Sequence, residues 1–442
     1  MNQEQNKGRA IALLPIGVFL IIFLGSGIVT GDFYAMPAIV AFLIALCVAF
    51  LQNRKLSFGE KIKLIAKGVG DENIITMSLI FLCAGGFSGA VTAAGGVEST
   101  VNLGLSILPS NIAVVGLFVI GCFISISMGT SMGTIAALAP IAVGISEKTG
   151  FSMAICVGAV VCGAMFGDNL SMISDTTIAA VKTQGCEMRD KFKENFKIVL
   201  PAAIVTIILF LLITGNGDYA VAEELPYNLL KVVPYILVLV GALIGINVFV
   251  VLIGGTVVSL IVGVVTGSIA PDQIFLAVGG GEVNGVQIGG VMGMYDITVI
   301  SIVVACIVAL VKEYGGIQFV LNLIKSRINN AKGAELGIAG LSLMVDACTA
   351  NNTVAIVMAG PIAKEISDEF GVSPKRTASL LDIFSSVGQG LIPYGAQLLS
   401  AASLTGLTPF AIMPYLFYPI LMAVSAVLFI LLRKRKWSDD WL

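Results

Sequence analysis

Long apolar runs constrain this chain more than any other feature of its sequence. Residues 11–28, 33–51, 198–214 and 410–432 approach or exceed the ~18–20 residues that a helix needs to cross the hydrocarbon of a bilayer. Hydrophobic residues make up 57% of the chain, above the roughly 45–50% of soluble domains. The alternating pattern of a β-barrel is absent, which leaves the α-helix to satisfy the backbone polar groups in lipid. The sequence therefore predicts an all-α integral membrane protein with the lipid bilayer as a partner.

The cysteine and histidine content argues against the common metal and catalytic sites. The chain has 8 cysteines and no histidine. The cysteines lie mostly inside apolar runs without a CxxC pair, so we interpret them as packing residues. No constellation of nucleophile, base and metal stands out. The sequence therefore predicts neither an enzyme nor a bound cofactor, and no nucleic-acid partner is expected. Without imidazole, a proton transported near neutral pH has to sit on a carboxyl group.

The second half of the chain repeats the first at a spacing of about 219 to 221 residues, a pattern to look for in transporters. The tripeptide Pro-Ile-Ala at 140–142 recurs at 361–363, and Gly167 recurs as Gly388. A polar stretch joins the two copies. We therefore divide the chain into an N-terminal repeat at 1–214, a periplasmic or extracellular linker at 215–227, a C-terminal repeat at 228–436 and a cytoplasmic tail at 437–442.

The number of crossings in each repeat predicts how the two copies are related. Each copy contains two spans, a surface stretch, a third span, two short apolar arms, an interrupted span and a last span, which makes five crossings. Because an odd number turns the second copy over, we expect about ten transmembrane helices in two inverted repeats. All 25 lysines and arginines except Lys148 and Lys231 then fall on one side, which indicates the cytoplasm. We expect a multi-pass protein of a bacterial inner membrane with both termini cytoplasmic.

The short arms between the third and the interrupted span predict a re-entrant hairpin in each repeat, because runs of roughly 10–14 residues do not cross a bilayer. The hairpin tips, at 127–134 and 349–353, are rich in glycine, hydroxyl and amide groups. Two matched tips indicate one shared site, in which free carbonyls suit a cation and free N–H groups suit an anion. In the alternative, Gly129 and Gly133 only allow close helix packing. The candidate binding residues of the tips are Thr130, Ser131, Thr134, Asn351, Asn352 and Thr353.

A polar break also interrupts the span at 153–181, and its repeat mate lies at 388–397. A carboxylate at the bilayer centre costs at least ~2.5–3.5 kcal/mol, so Asp168 and Asp175 need a partner. Na+ would supply one, since hard cations prefer oxygen ligands. In the alternative, Asp175 lies near cytoplasmic water. The candidate binding residues of the breaks are Asp168, Asn169, Ser171, Asp175, Thr176 and Gln397, and the Na+ candidates are Asp168, Ser171, Asp175, Asn352 and Thr353.

Two further acids lie in apolar surroundings in the second repeat only. Asp346 aligns with Ser127, and Asp382 aligns with Val161. Repeat symmetry does not require them, so we expect an asymmetric role such as a proton site or a site for a substrate ammonium group. In the alternative, they form helix-packing pairs with neighbouring Ser or Thr residues.

The segment GDNLS at 167–171, followed by SDTT at 174–177, resembles the motif G-D-x-x-S-P-L-S-D-T-T of the NhaC-type Na+/H+ antiporter family, part of the ion transporter superfamily. Met172 and Ile173 replace the Pro-Leu pair. The resemblance covers essentially the whole chain, is closer to the YuiF-like branch, and implies a homodimer in which a mobile unit of hairpins and broken helices moves like an elevator against a scaffold. It also places Asp168, Ser171, Asp175 and Thr176 at the site.

The sequence favours secondary active transport coupled to Na+ and/or H+, in which carboxylates take a cation and a proton in exclusive turns during alternating access. The alternative is a Na+- or H+-coupled transporter of an amino acid or small organic acid, with Asp346 or Asp382 binding the ammonium group. The amides Asn351, Asn352 and Gln397 favour this alternative, because a bare ion exchanger needs fewer of them. An ion channel also uses re-entrant loops and is the third hypothesis.

Overall fold

The computed structural model describes residues 8–30, 36–107, 112–172, 174–215, 225–244, 246–274, 285–325 and 328–432. All regular secondary structure within these residues is helical, which confirms the predicted fold class. Most of the predicted linker, residues 216–224, and the predicted tail, residues 437–442, lie outside the described residues.

The helices of the first half begin with three that precede the long span α4 and end with the long helix α10. In chain order they are α1 (Leu14–Thr30), α2 (Ala38–Leu51), α3 (Phe58–Val69), α4 (Glu72–Ala93), α5 (Gly96–Ile107), α6 (Ala113–Met128), α7 (Ser131–Thr149), α8 (Met153–Leu170), α9 (Asp175–Gln184) and α10 (Met188–Thr214).

The second half follows a similar order. Its helices are α11 (Leu229–Leu243), α12 (Val248–Val265), α13 (Val286–Gly293), α14 (Tyr295–Glu313), α15 (Gly316–Lys325), α16 (Ala331–Thr349), α17 (Asn352–Phe370), α18 (Pro374–Leu391), α19 (Ala396–Thr405), α20 (Pro409–Ile412) and α21 (Phe417–Leu432). Short 3₁₀ helices cover Ala10–Leu13, Pro271–Gln273 and Met413–Tyr415.

The helices of the two halves correspond residue by residue around the predicted hairpins and breaks. The bounds of α7, α8 and α9 recur in α17, α18 and α19 at a constant spacing, from residue 131 to 352 and from 184 to 405. The helix ends correspond too: left-handed Gly150 and Gly185 recur as Gly371 and Gly406. Glycine suits these positions because it adopts positive φ without steric cost. The repeated order of elements follows from these bounds, whereas the inversion of one copy relative to the membrane stays a prediction.

Length and apolar composition identify fewer spans than predicted from the sequence. Five helical stretches are long and apolar enough to cross a bilayer, and up to seven if each of two bent helix pairs counts as one span, within the described residues. The chain is therefore a multi-pass membrane protein. The predicted number of about ten requires some of the shorter apolar helices to cross as well. These shorter helices are Ala38–Leu51, Ala113–Ile126, Leu229–Gly241 and Phe417–Leu432.

The hairpin arms are longer than the sequence predicts. The apolar runs at 135–145 and 354–366 predict the second arms, but α7 and α17 continue to Thr149 and Phe370. The additional turns are polar and contain Glu147 and Asp368, both exposed. A helix continues through such residues because its backbone bonds are internal and its side chains point outward.

Two fully buried helices lie at the centre of the molecule. Every residue of α8 from Ala154 onward is buried, and so is α18 from Arg376 to Gly390. Glycine allows α6 to pack closely on α8, since a Cβ on Gly163 would lie 2.3 Å from the Phe118 carbonyl oxygen. The Ser125 hydroxyl on α6 also donates a 2.6 Å hydrogen bond to the Ala164 carbonyl. This packing fixes the C-terminal end of α8, where the acid Asp168 lies.

Candidate functional site

A polar cavity of about 80 Å3 lies where the two hairpin tips meet the breaks after α8 and α18. A single water needs about 10–15 Å3 on this measure, so the cavity has room for several water-sized groups. Eight of the predicted binding residues line it. The lining residues are Thr76, Ile80, Thr130, Ser131, Met132, Asp168, Asp175, Asn351, Asn352, Thr353, Gln389, Ala396 and Gln397.

Asp168 forms the buried acidic wall of the cavity, with an exposure of 4%. One carboxylate oxygen accepts a 2.8 Å hydrogen bond from the Ser131 hydroxyl at the first hairpin tip. The other accepts a 2.6 Å hydrogen bond from the Ser174 hydroxyl in the break after α8. A carboxylate has about four acceptor positions on its two oxygens, so these two donors leave acceptor capacity for a cation.

Asp175 is the second acid and lies exposed at the edge of the cavity. Its Oδ2 accepts a 2.8 Å hydrogen bond from the Thr353 hydroxyl at the second hairpin tip. Its Oδ1 accepts a 3.1 Å hydrogen bond from the Thr176 backbone N–H. As the first residue of α9, Asp175 is also stabilised by the positive end of the helix dipole. Its exposure fits the alternative that it lies near water, while its bond to Thr353 keeps it at the cavity.

The charge of the cavity lining is negative. Asp168 and Asp175 contribute two carboxylates, and none of the described residues that line the cavity is Lys or Arg. The hairpin N–H groups are partly occupied, because the Asn351 Oδ1 accepts from Val354 N at 2.9 Å and the Asn352 Oδ1 accepts from Thr353 N at 3.1 Å. The lining therefore suits a cation better than an anion.

Amide groups of the lining retain unused hydrogen-bonding atoms. Within the described part of the chain, the Asn352 Nδ2 has no acceptor, and the Oε1 atoms of Gln389 and Gln397 have no donor. The amide nitrogens of these two glutamines already donate hydrogen bonds. Gln389 Nε2 donates to the Ala350 carbonyl at 3.0 Å, and Gln397 Nε2 donates to the Ser131 hydroxyl at 3.1 Å. One donor and two acceptors are thus available at the cavity.

Three of the predicted binding residues do not line the cavity, and their hydroxyl groups form hydrogen bonds to other protein atoms. Thr134 donates to the Thr130 carbonyl at 3.0 Å, and Thr176 shares a 2.8 Å hydrogen bond with Ser174. Ser171, a predicted Na+ ligand, donates to the Ile126 carbonyl at 2.7 Å. Between α8 and α9 the hydroxyl beside Asp168 belongs to Ser174, whereas Ser171 points toward α6.

Asp382 lies outside the cavity and already has a cationic partner within the chain. The Lys191 ammonium is 2.6 Å from its Oδ2, and the Asn195 amide donates to the same oxygen at 2.9 Å. Asn169 also points to this cluster and not to the cavity lining. The sequence interpretation placed Lys191 on a cytoplasmic surface, but the lysine is 1% exposed. A substrate ammonium group is therefore not needed to balance Asp382.

Asp346 also lies outside the cavity lining, on the first arm of the second hairpin. Its side chain is completely buried, and a Cβ on Gly388 of α18 would lie 2.5 Å from its Oδ2. Among the described residues, neither carboxylate oxygen finds a hydrogen-bond donor. The alternative of a helix-packing pair with Ser or Thr is therefore not formed by the described residues around Asp346.

The sequence interpretation missed four polar residues of this region. Gln389 carried a signal, because it aligns with Asp168 in the repeat. Ser174 carried another, since it belongs to the same SDTT segment as Asp175. Thr76, on α4, and Lys191, at the start of α10, had no signal in a local pattern, because helices distant in sequence bring them to this region.

Comparison with known proteins finds similarity along nearly the whole chain. The model of the Na+/H+ antiporter family matches residues 8–215 and 221–436. The chain is 22% identical to the malate-2H+/Na+-lactate antiporter of Bacillus subtilis, over 94% of this chain and 93% of that protein. It is 23% identical to the Na+/H+ antiporter NhaC of Alkalihalophilus pseudofirmus, over 96% of each. It is 22% identical to the arginine/ornithine antiporter ArcD of Halobacterium salinarum, over 76% of this chain and 74% of that protein.

Proposed function

The chain belongs to the Na+/H+ antiporter family, and from this premise we propose that the cavity between the hairpin tips is its cation-binding site. The family is one of transporters, and this chain is a cation-coupled, antiporter-like secondary transporter of the bacterial inner-membrane type. The observation that carries the proposal is the lining itself, which holds two carboxylates and, among the described residues, no basic side chain. A cation or a proton offsets this charge, and the two compete for the same oxygens.

In the proposal, Asp168 and Asp175 hold the transported Na+ together with Asn352 and Thr353. The hydroxyls of Ser131 and Ser174 keep the Asp168 carboxylate oriented, at 2.8 and 2.6 Å. Protonation of the acids releases the Na+, and alternating access then exposes the site to the other side. Elevator-like motion of re-entrant hairpins, a homodimer and cytoplasmic termini are parts of the proposal that rest on the resemblance and on the lysine and arginine distribution.

Asp346 enters the proposal as a proton site in the second repeat. A buried carboxyl group without a hydrogen-bond donor needs a proton or a cation beside it. It lies one helical turn before the second hairpin tip, because the Ala350 N–H donates to the Asp346 carbonyl at 2.7 Å. Its charge state therefore bears on the same tip that carries Asn352 and Thr353.

The Asp168→Asn variant tests the cation site. The amide keeps the size of the side chain but cannot carry the proton or the negative charge that the exchange needs. We expect Na+-driven proton movement in proteoliposomes to fall to the background of empty liposomes, with normal expression and an unchanged elution volume. Asp368→Asn, an exposed acid on α17, is the matched control and should keep wild-type exchange. Near-normal turnover of Asp168→Asn would remove this residue from the site.

A second candidate function is Na+- or H+-coupled exchange of an organic acid or amino acid. The Asn352 Nδ2, a donor without an acceptor among the described residues, favours it, because a bare cation needs no hydrogen-bond donor. Names of relatives, malate and lactate in one case and arginine and ornithine in another, give solute classes to try. If Na+ accelerates proton movement with no organic solute present, ion exchange alone is sufficient. An absolute requirement for a solute would favour the second function.

A channel differs from both candidates in one measurable property. A carrier saturates with substrate and shows counterflow, since each turnover carries a bound ion across. We therefore expect 22Na+ uptake to accelerate when unlabelled Na+ is present inside the vesicle. Conducted current without such exchange would favour a channel.

A further inference from the structure

Next to the cavity, a lysine ammonium group is enclosed by oxygen atoms in the protein interior. Lys191 Nζ lies 2.6 Å from Asp382 Oδ2, 2.7 Å from Thr177 Oγ1 and 3.1 Å from the Asn169 carbonyl oxygen. An ammonium group has three N–H donors, and each has one acceptor here. All four residues are at most 2% exposed. This arrangement of oxygens is a cation site in which the cation is a side chain.

We propose that Lys191 is a tethered cation that permanently fills a second cation site, formed by Asp382, Thr177 and the Asn169 carbonyl. The proposal rests on the proposed function in one respect: it explains why only the site at Asp168 and Asp175 takes a mobile cation. Without the lysine side chain, the second site would take an ammonium ion or Na+ from solution.

The site is coupled to the transport cavity through the end of α8. Asn169 follows Asp168 directly, and its carbonyl accepts from both Lys191, at 3.1 Å, and the Asn195 amide, at 3.0 Å. Free carbonyls at the C-terminal end of a helix carry partial negative charge, which a cation offsets. The ammonium group therefore balances the helix end that positions the Asp168 carboxylate.

Hydrogen-bond donors are too few, within the described residues, for the oxygen atoms around the Lys191 ammonium group. The Asp382 Oδ1 and the Asn195 Oδ1 are buried and have no donor there. Asp382 Oδ2 receives Lys191 at 2.6 Å and Asn195 at 2.9 Å, so the donors converge on one of its two oxygens. A purely structural ion pair would be expected to satisfy both oxygens.

The residues that the repeat makes equivalent to this pair indicate that the fold does not require the ion pair. Asp382 aligns with Val161, and Lys191 aligns with Ile412, at the spacing that relates α8 to α18. Both aliphatic residues are fully buried. Apolar residues thus fill the two places that the repeat makes equivalent to this pair, and apolar replacements of buried ion pairs are often neutral or stabilising. The charges of Lys191 and Asp382 therefore have a purpose other than filling space.

The experiment replaces the tether and supplies the cation from solution. Lys191→Ala removes the positive charge that balances Asp382 and leaves an empty space where the lysine side chain lay. We expect methylammonium chloride to raise the Tm of purified Lys191→Ala saturably, by a few degrees, because a ligand of the folded state stabilises it. It should not do so for the wild type, or for the matched control Lys191→Met/Asp382→Asn, in which no charge remains to be balanced. Choline chloride, too large for the site, controls for ionic strength.

Equilibrium binding of 22Na+ to detergent-solubilised protein gives the second measurement. We expect the ratio of bound Na+ in Lys191→Ala to wild type to be about two, and the ratio for the double variant to be about one. A folded Lys191→Ala that shows neither methylammonium stabilisation nor additional Na+ would overturn the proposal. So would a Lys191→Ala that cannot be recovered even when methylammonium is present throughout purification, since the ion should then replace the tether.

The two proposals fail in different ways. If wild-type protein binds no Na+ and Asp168→Asn transports normally, the cavity assignment is wrong, whereas the methylammonium result on Lys191→Ala still reports on the second site. If wild type binds Na+ through Asp168 and Lys191→Ala gains nothing, the tethered cation alone is refuted.

Discussion

At the residue scale, the two acids of the cavity differ in burial, and each carboxylate accepts two hydrogen bonds. Asp168 is 4% exposed and is held by two serine hydroxyls, whereas Asp175 is exposed and is held by Thr353 and a backbone N–H. Each carboxylate oxygen has a single donor in these bonds. The hydroxyl groups can rotate. A hydroxyl that donates to the carboxylate can therefore turn to accept a hydrogen bond or to bind a cation through its oxygen. In the proposed function, this rotation allows the two acids to exchange a proton for a cation.

Thr353→Val tests the link between the second hairpin tip and Asp175. Valine keeps the shape of threonine but loses the hydroxyl that donates to Asp175 at 2.8 Å and that is a proposed Na+ ligand. Because a hydrogen bond to a charged group contributes about 1.5–3 kcal/mol, we expect the KM for Na+ to rise about tenfold or more. The measurement is Na+-dependent proton movement in proteoliposomes over a range of Na+ concentrations.

Thr405→Val is the control for this variant. Its hydroxyl donates to the Ala401 carbonyl in its own helix, at 2.7 Å, and does not line the cavity. We expect its KM to equal that of the wild type. A Thr353→Val transporter with an unchanged KM would show that the tip does not contribute to cation binding.

At the element scale, the site is made by helix ends. The cavity lies where α7 and α17 begin and where α8 and α18 end, so helix termini with incompletely bonded backbone groups meet there. Ala350, at the second tip, has a φ of 50°, a left-handed conformation that is costly for a residue with a Cβ. Its repeat equivalent is Gly129, with a φ of 69°. The fold thus keeps the same turn even where the sequence lacks glycine.

Close packing of α6 on α8 depends on glycine, and Gly163→Ala tests it. The added Cβ would lie 2.3 Å from the Phe118 carbonyl oxygen, a contact that forces the helices apart. We expect the variant to be destabilised by about 1–3 kcal/mol, the usual cost of overpacking, and to have a lower Tm in a thermal-shift assay.

Gly254→Ala is the matched comparison for the packing prediction. A Cβ at Gly254 on α12 would meet no atom within 4 Å. Because alanine has the higher helix propensity, its Tm should be equal to or above that of the wild type. If both variants melted alike, the tight contact at Gly163 would not limit stability.

At the scale of the whole molecule, buried charges join the two halves. Arg376 on α18 is completely buried and binds Glu194 of α10 at 3.1 Å and Glu335 of α16 at 3.0 Å. The Lys191–Asp382 pair also connects α10 to α18. The last helix of the first half is therefore anchored to the second half at two points. Any motion that exposes the cavity alternately has to keep these pairs together, since separating a buried pair is costly.

Labelling of single cysteines tests the inversion of the repeats. Glu147, near the end of α7, and Asp368, near the end of α17, are equivalent in the repeat, and both are exposed. In inverted repeats they lie on opposite sides of the membrane. We expect a membrane-impermeant maleimide added outside intact cells to label a cysteine at 147 and not at 368, in a background without the native cysteines. Labelling of both from the same side would contradict the inversion.

The sequence by itself determined the class of the protein and the segments that meet at the cavity. Apolar run lengths identified a helical membrane protein, because the bilayer imposes one length scale and one way to satisfy the backbone. The internal repeat identified the hairpin tips and the breaks, because polar residues in such places are costly unless they line a cavity. Eight predicted binding residues, including Asp168, Asp175 and Thr353, line the cavity as a result.

Only the tertiary structure decided which polar groups meet. Ser171 and Ser174 lie outside the helices, where no helical period directs the side chains, so Ser174 and not Ser171 reaches Asp168. Lysine has a long flexible side chain, and α10 carries Lys191 from a charged segment into the interior beside Asp382, far away in sequence. Contacts of this kind depend on how helices pack in three dimensions, which local periodicity and composition do not encode.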